Sequence, residues 1–269
     1  MPIIDLHTHS DFSDGTSSPE EVVQVAVKRG VQLLALTDHD TTDAVARAQA
    51  VAQAHHLRFV CGVEISTKDH DQLHFTGYNI NIEDTAFQNF LAHNRQMRRQ
   101  RIEQVIKQLQ AAGINITNED VFSLGTNTIS RAHVADALKN KGYAVSRQIA
   151  FRNYLLQGQP GYVPAIGASA LEAITYIKKA GGLAVLAHPG IVSDHWDFPA
   201  WKEAGLDGIE VFYPAHSFTM RQELLSLADK YGLFASAGSD YHGPKGGRIS
   251  SPGIQIPQNH YNRLINVLF

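Results

Sequence analysis

Cysteine is nearly missing from this 269-residue chain. Cys61 stands alone, which excludes an intramolecular disulfide and any cluster of thiolate ligands, and fits a reducing compartment. No apolar run reaches the roughly 18 residues that a membrane-spanning helix needs. The first residues lack a basic segment followed by an apolar one, so a cytoplasmic protein without membrane contact is expected. Positive charge is not in excess either: 23 Lys and Arg face 26 Asp and Glu, for a net charge of −3. That balance argues against a broad electrostatic grip on nucleic-acid backbone, and so against stable duplex binding. A small anion, or the end of a short oligonucleotide, needs only a few local arginines. Internal repeats and low-complexity stretches are also lacking.

What is abundant is histidine, with 14 residues. The chain opens Ile3-Ile4-Asp5-Leu6-His7-Thr8-His9, a short apolar strand running into two histidines. Residues i and i+2 of a strand share a face, so His7 and His9 project together, and Asp14-Gly15 follows in a loop. Two imidazoles on one face with a carboxylate nearby can begin a metal site.

The next elements repeat the pattern. Ser18-Pro19-Glu20-Glu21 is a helix start, with Ser at the N-cap, Pro at N1 and acids in the first turn. Leu33–Leu36 reads as a buried strand ending in Thr37-Asp38-His39-Asp40; an alanine-rich helix covers Thr42 to Ala54; Arg58–Val63 is a strand ending in Glu64; and Leu73–Tyr78, with His74, is a fourth. Strand, polar loop and helix in alternation predict parallel βα units, whose ligands gather at the C-terminal ends of strands. From about Asp84 to Pro164 the chain instead reads as helical, and Gln157–Pro164 is its linker back. The predicted organisation is therefore a barrel from residues 1–83 and 165–269, with a helical insertion, 84–164, over its mouth. After the insertion, Leu183–Ala187 runs into His188, Gly208–Phe212 into Tyr213-Pro214-Ala215-His216, and Leu233–Ala237 into Gly238-Ser239-Asp240-Tyr241-His242.

Nine candidates thus accumulate: His7, His9, Asp14, His39, Glu64, His74, His188, Asp240 and His242. A single strand-end histidine is ordinarily a satisfied structural residue. Core packing, however, gives no reason for strands to end in histidine again and again, so a shared metal centre is the better account. Imidazole and carboxylate without thiolate suit Mn, Zn or Fe. Nine ligands exceed the needs of one ion and imply two or three. Ions a few ångströms apart clamp displacement at phosphorus, generating hydroxide from water and neutralising the phosphoryl oxygens.

The strings His7-Thr8-His9-Ser10 with Ser13-Asp14-Gly15, Thr37-Asp38-His39-Asp40, Gly62-Val63-Glu64, Ala187-His188-Pro189 and Gly238-Ser239-Asp240-Tyr241-His242 resemble the ordered motifs of the PHP (polymerase and histidinol phosphatase) family. The resemblance implies an α/β fold, a distorted (β/α)7 barrel, with a trinuclear centre in which manganese is the favoured ion. His7, His9, Glu64 and Asp240 would hold one ion. Glu64 would bridge to a second, held with His74 and His188, and Asp14, His39 and His242 would hold the third. His74 is preferred to His70, which falls in a polar turn. The insertion, with Ser130-Arg131-Ala132-His133 and Gly161-Tyr162-Val163-Pro164, is similar to that of RNase AM-like and nucleoside 3′,5′-bisphosphate phosphatase-like proteins.

That branch implies a metal-dependent phosphoesterase in which a metal-bound hydroxide attacks phosphorus, acting on a nucleotide or on the 5′ end of short RNA. The products would be those of a 3′-phosphatase, a 5′-3′ exoribonuclease, or both. Arg131 and His133, at a helix N-terminus, would bind phosphate oxygens, Arg131 acting in catalysis as well. His216, past a strand end, would hold the phosphate or protonate the leaving oxygen. Asp38 or Asp40 would orient a ligand imidazole. Histidinol-phosphate phosphatase is the alternative activity, and a non-catalytic metal-binding module the alternative class; silent modules usually lose ligands, whereas all nine are present. The run Arg95, Arg98, Arg99, Arg101, Lys107 reads as a solvated helix face, or as a guide for an RNA tail. No feature identifies a protein partner.

Overall fold

The structure, a computed structural model, describes residues 1–246 and 249–269. Strands β1 (Ile3–Asp5), β2 (Leu33–Leu36), β3 (Arg58–Ser66), β4 (His74–Tyr78), β5 (Leu183–Leu186), β6 (Leu206–Phe212) and β7 (Phe234–Ala237) follow one another around a sheet in chain order. A short β8 (Ile254–Gln255) is added antiparallel to the outer side of β1. The sheet closes where the end of β7 meets the end of β1. The Leu6 N–H donates to Ala237 O at 2.9 Å, the Asp240 N–H donates to His7 O at 2.9 Å, and Thr8 bridges Tyr241 in parallel. Closure leaves an interior filled by side chains such as Ile4, Leu33, Val60 and Tyr78.

One departure from the parallel βα rhythm matters for the site. β4 is antiparallel to both β3 and β5, with Ser66 opposite His74 and Phe75 opposite Leu186. The connection from β3 to β4 spans residues 67–73 and holds no helix, too short for a parallel crossover, which takes about a dozen residues or more. β4 therefore offers its first residue, His74, at the same barrel end where the parallel strands offer their last.

Helices α1 (Pro19–Lys28) and α2 (Val45–Ala54) cover one side. Ser18 and Glu21 form the capping box expected at the start of α1. Helix α3 (Thr85–Ala111) is about 40 Å long by its rise per residue and belongs to two cores. Its first half places Phe87, Phe90 and Leu91 against the barrel. Its second half places Ile102, Val105, Ile106 and Leu109 in a separate cluster. That cluster also takes in α4 (Asn118–Phe122), α5 (Arg131–Asn140), α6 (Arg147–Ala150) and the single π turn Phe151–Leu155. Helices α7 (Ala170–Lys179), α8 (Phe198–Ala204), α9 (Phe218–Tyr231) and α10 (Gln258–Leu268) complete the outer layer. Among the described residues no helix is long and apolar enough to cross a membrane.

Candidate metal centre

All nine candidate ligands converge on one end of the barrel, with Glu64 at the middle. Its Oε1 lies 2.9 Å from His74 Nδ1, 3.1 Å from His188 Nε2 and 3.3 Å from His7 Nε2. Its Oε2 lies 3.0 Å from His39 Nδ1 and 3.3 Å from His9 Nε2. One carboxylate thus faces five imidazoles, split between its two oxygens. Two further carboxylates flank it. Asp240 Oδ1 is 3.2 Å from His9 Nε2 and 3.5 Å from His7 Nε2. Asp14 reaches His242 Nε2 at 3.1 Å and His39 Nε2 at 3.9 Å. Three sets have donor atoms within 4.8 Å of one another: His7, His9, Glu64 and Asp240; His9, Asp14, His39 and His242; and His39, Glu64 and His74. The expected grouping differs in three respects: His9 and His39 each face two sets, and His188 falls in none of them, although its Nε2 lies 3.1 Å from Glu64 Oε1.

The donor set fits divalent ions. His7 Nε2, His9 Nε2, Asp14 Oδ1 and Glu64 Oε2 are buried and lack any hydrogen bond of acceptable geometry, although they crowd together. Buried polar atoms are ordinarily satisfied, so several orphans within these adjoining sets mark ligand positions. The electrostatics agree. Burial works against charge on Glu64 and Asp14, yet the surrounding imidazoles hold both well below the usual carboxylate range. Burial likewise opposes a proton on His9, but Asp240 and Glu64 raise its pKa to about 10, and Glu64 and Glu210 raise His7 in the same way. His39 goes the other way, down to about 3, because burial outweighs Glu64 and Arg98 adds repulsion. A cluster that keeps its carboxylates ionised and attracts protons to two imidazoles attracts positive charge, as a cation site must.

The strand ends carry strain. Asp40, His188 and Asp240, after β2, β5 and β7, have φ of 51°, 30° and 59°. Left-handed backbone in non-glycine residues is uncommon and collects at functional sites. Gly238 has a steric reason to be glycine: a Cβ there would overlap both His7 Cβ and Glu210 Oε1.

Glu210 is a functional candidate that the sequence reading passed over. It is buried on β6, its carboxylate oxygens 3.2 and 3.3 Å from His7 Nδ1, and it also accepts the His188 N–H at 2.7 Å. It thereby fixes which nitrogen of His7 faces Glu64. Asp38 and Asp40 do not touch an imidazole, contrary to expectation. Asp38 accepts from the Ser10 and Ser13 hydroxyls at 2.6 Å each, and Ser13 Oγ lies 3.4 Å from His9 Nδ1, so any influence on His9 passes through Ser13. Asp40 accepts from Arg98 Nε at 2.5 Å and Asn94 Nδ2 at 3.2 Å, and its carbonyl accepts from Arg95 Nη1 at 2.8 Å.

Those arginine contacts correct the reading of the basic run. Arg95, Arg98 and Arg101 turn inward from α3, and only Arg99 and Lys107 face solvent. Arg98 also donates to the Ser66 hydroxyl, which lies 3.5 Å from His39 Nδ1.

The three residues expected on substrate fare differently. Arg131 reaches the mouth, where its Nη1 donates to Asp71 Oδ2 at 2.9 Å. His133 serves the helix through one ring nitrogen, which leaves Nε2 as the ring's donor. Its Nδ1 accepts the Ser130 N–H at 3.0 Å and closes the N-terminal capping box of α5. Neither ring nitrogen of His216 is open to a phosphate. Nδ1 donates to Val211 O at 2.9 Å, and Nε2 accepts the Gly190 N–H at 3.1 Å, tying the end of β6 to the turn after His188. His70 lies beside His195 with ring centroids 4.5 Å apart, while His74 is the one at Glu64.

The PHP domain profile matches residues 5–155. The chain belongs to the PHP domain family. Among its curated PHP relatives, the 3′,5′-nucleoside bisphosphate phosphatase of Chromobacterium violaceum is 40% identical over 260 residues, 92% of this chain and 90% of that protein. The 5′-3′ exoribonuclease Rnm of Escherichia coli is 38% identical over 251 residues, 90% of this chain and 86% of that protein. A solved structure from Bifidobacterium adolescentis, described as a metal-dependent phosphoesterase, superposes with a TM-score of 0.88 at 30% identity, covering 97% of this chain and 95% of that one.

Proposed function

We propose that this PHP protein is a metal-dependent phosphoester hydrolase for nucleotides. It would remove the 3′-phosphate of nucleoside 3′,5′-bisphosphates, release mononucleotides from the 5′ end of short RNA, or do both. The observation that carries the reading is Glu64, one buried carboxylate within 3.3 Å of five imidazole nitrogens, with Asp14 and Asp240 beside it.

His7, His9, Glu64 and Asp240 would hold one ion. Asp14, His39 and His242, with His9 alongside, would hold a second. Glu64, His74 and His188 would hold a third, and manganese is the ion we favour. Bound ions supply an activated water and neutralise the phosphoryl oxygens. The protein's own residues do the rest. Glu210 holds His7 in one tautomer, and Ser13 holds the His9–Asp14 loop to Asp38. The helices of residues 84–164 cover the mouth and bring guanidinium groups to it. Arg131 grips phosphate oxygens with the donors that Asp71 leaves unused. No protonating role is assigned to His216, whose ring is committed to main-chain partners.

The test is phosphate release from nucleoside 3′,5′-bisphosphate with Mn²⁺, with 5′-phosphorylated oligoribonucleotides and histidinol phosphate run in parallel. No hydrolysis of either nucleotide substrate by protein with a full metal complement would defeat the proposal.

A further inference from the structure

The β3–β4 hairpin carries more than Glu64 and His74. Its turn carries Asp71, whose two oxygens are each taken by a guanidinium. Asp71 Oδ1 accepts from Arg101 Nη2 at 2.6 Å and Oδ2 from Arg131 Nη1 at 2.9 Å. The two arginines are not equivalent. Arg101 is anchored, because its Nε and Nη2 also donate to Val163 O at 3.0 and 2.7 Å. Arg131 spends one N–H on Asp71, lies 5.8 Å from the Phe151 ring centroid and keeps the rest of its fork. Two cations sharing one carboxylate leave a positive surplus, and it sits on Arg131, the less committed partner.

The hairpin makes this arrangement geometric. Ser66 pairs with His74 and Glu64 with Thr76, so the turn bearing Asp71 is held in fixed register with the carboxylate at the heart of the centre. Val163, Arg101, Asp71 and Arg131 form a continuous chain of polar contacts from the end of the insertion to the first turn of α5.

We propose that Asp71, held by Arg101, is a positioning residue that aims Arg131 at a second phosphate of the substrate. It thereby sets a preference for nucleotides carrying two phosphate groups over those carrying one. The proposal rests on the hydrolase reading above. It assigns the selectivity to a carboxylate that itself repels phosphate, and Asp71 works because it is neutralised twice.

Asp71→Asn keeps the shape and loses the charge that orders both guanidiniums. With nucleoside 3′,5′-bisphosphate, KM should rise about tenfold or more, the loss expected for one charge-assisted contact. The kcat should change far less, and so should the kinetics on the 3′-monophosphate. Asp71→Glu should restore part of the preference, and metal content should match wild type. An equal fall in kcat/KM on both substrates, or an unchanged preference, would overturn the proposal. Calorimetric titration of chelator-treated protein with a nucleoside 5′-monophosphate separates this from failure of the hydrolase reading. Weaker binding by Asp71→Asn supports the positioning role even without turnover, and equal binding rejects it.

Discussion

Replacing Glu210 by Gln tests whether metal affinity depends on a residue that touches no ion. The side chain is buried and accepts from two donors at once, His7 Nδ1 at 3.2 Å and the His188 main-chain N–H at 2.7 Å. Glutamine keeps the volume but has one oxygen to accept with, so its NH₂ must face the other donor. It cannot swing aside, because Gly238 packs against it so closely that even a Cβ there would overlap Oε1. One charge-assisted hydrogen bond is lost, roughly 1.5–3 kcal/mol. Removing a partner that orients a ligand imidazole typically costs about 10–100-fold in metal affinity, equivalent to about 1.4–2.7 kcal/mol. The two routes give the same size of effect. Competition against a chromogenic chelator should therefore show one class of ion bound about 10–100-fold more weakly, with the other classes little altered. Thermal melts should show a larger destabilisation in loaded protein than in metal-free protein. If the variant folds and binds every ion within about twofold of wild type, far short of the loss expected for an orienting partner, Glu210 does not orient His7.

Two further outcomes follow from the same geometry. Asp14→Ala should lower the metal content by one ion, whereas His9→Ala should weaken two, because His9 faces Asp240 and Glu64 on one side and stands with Asp14 and His242 on the other. Elemental analysis of the purified variants measures this, and loss of the same single ion from both would refute the grouping. In metal-free protein the imidazoles of the centre should contribute most to stability near their ordinary value of 6.5. As pH rises above that value, the unfolded chain releases protons that His7 and His9 retain, so their contribution fades toward pH 10, the raised value of His9. As pH falls below it, the unfolded chain binds protons that His39 and His74 refuse when folded, and near pH 4 the lowered Asp14 and Glu64 add to the loss. Chemical denaturation across pH 4–10 would show this dome. A stability that climbs steadily with pH would contradict it.

The candidate ligands were legible because each rests on a local rule. His7 and His9 share a face through the two-residue period of a strand, and His39, His188, Asp240 and His242 each follow an apolar run. The antiparallel β4 was legible too, since residues 67–73 are too few for a crossover, but the βα rhythm was extended past that limit. Arg98 and Arg101 lie on the same helical stripe as Leu91, Asn94, Ile102 and Val105, which is the buried one. Periodicity could therefore have separated them from Arg99. Glu210 left a weaker trace, as a single acid within the apolar run Gly208–Phe212. Nothing local announced the structural role of His216, because its partners are the carbonyl of Val211 and the N–H of Gly190, and that second contact exists only once β5 and β6 lie side by side. The capping role of His133 was legible as well, since at N3 of a helix its Nδ1 can close the capping box begun by Ser130.

Helices α3, α5 and α6 meet the strand-end loops through specific polar contacts, and that bears on how the site must work. Ser130 Oγ, at the N-cap of α5, donates to Asp14 Oδ2 at 2.8 Å. Arg147 of α6 makes a bidentate pair with Asp136 and donates to the carbonyls of Asp14 at 3.2 Å and Gly246 at 2.7 Å. On α3, Asn94, Arg95 and Arg98 all fasten to Asp40, whose backbone is held in the left-handed region. Three helices thus reach three loops that carry candidate ligands. A cover that only excluded water would need apolar contact at its rim. Here its hydrogen bonds end on the loops of the candidate ligands, so those loops and Arg131 are held by one continuous set of contacts. The cover cannot lift without releasing Asp14 and Asp40.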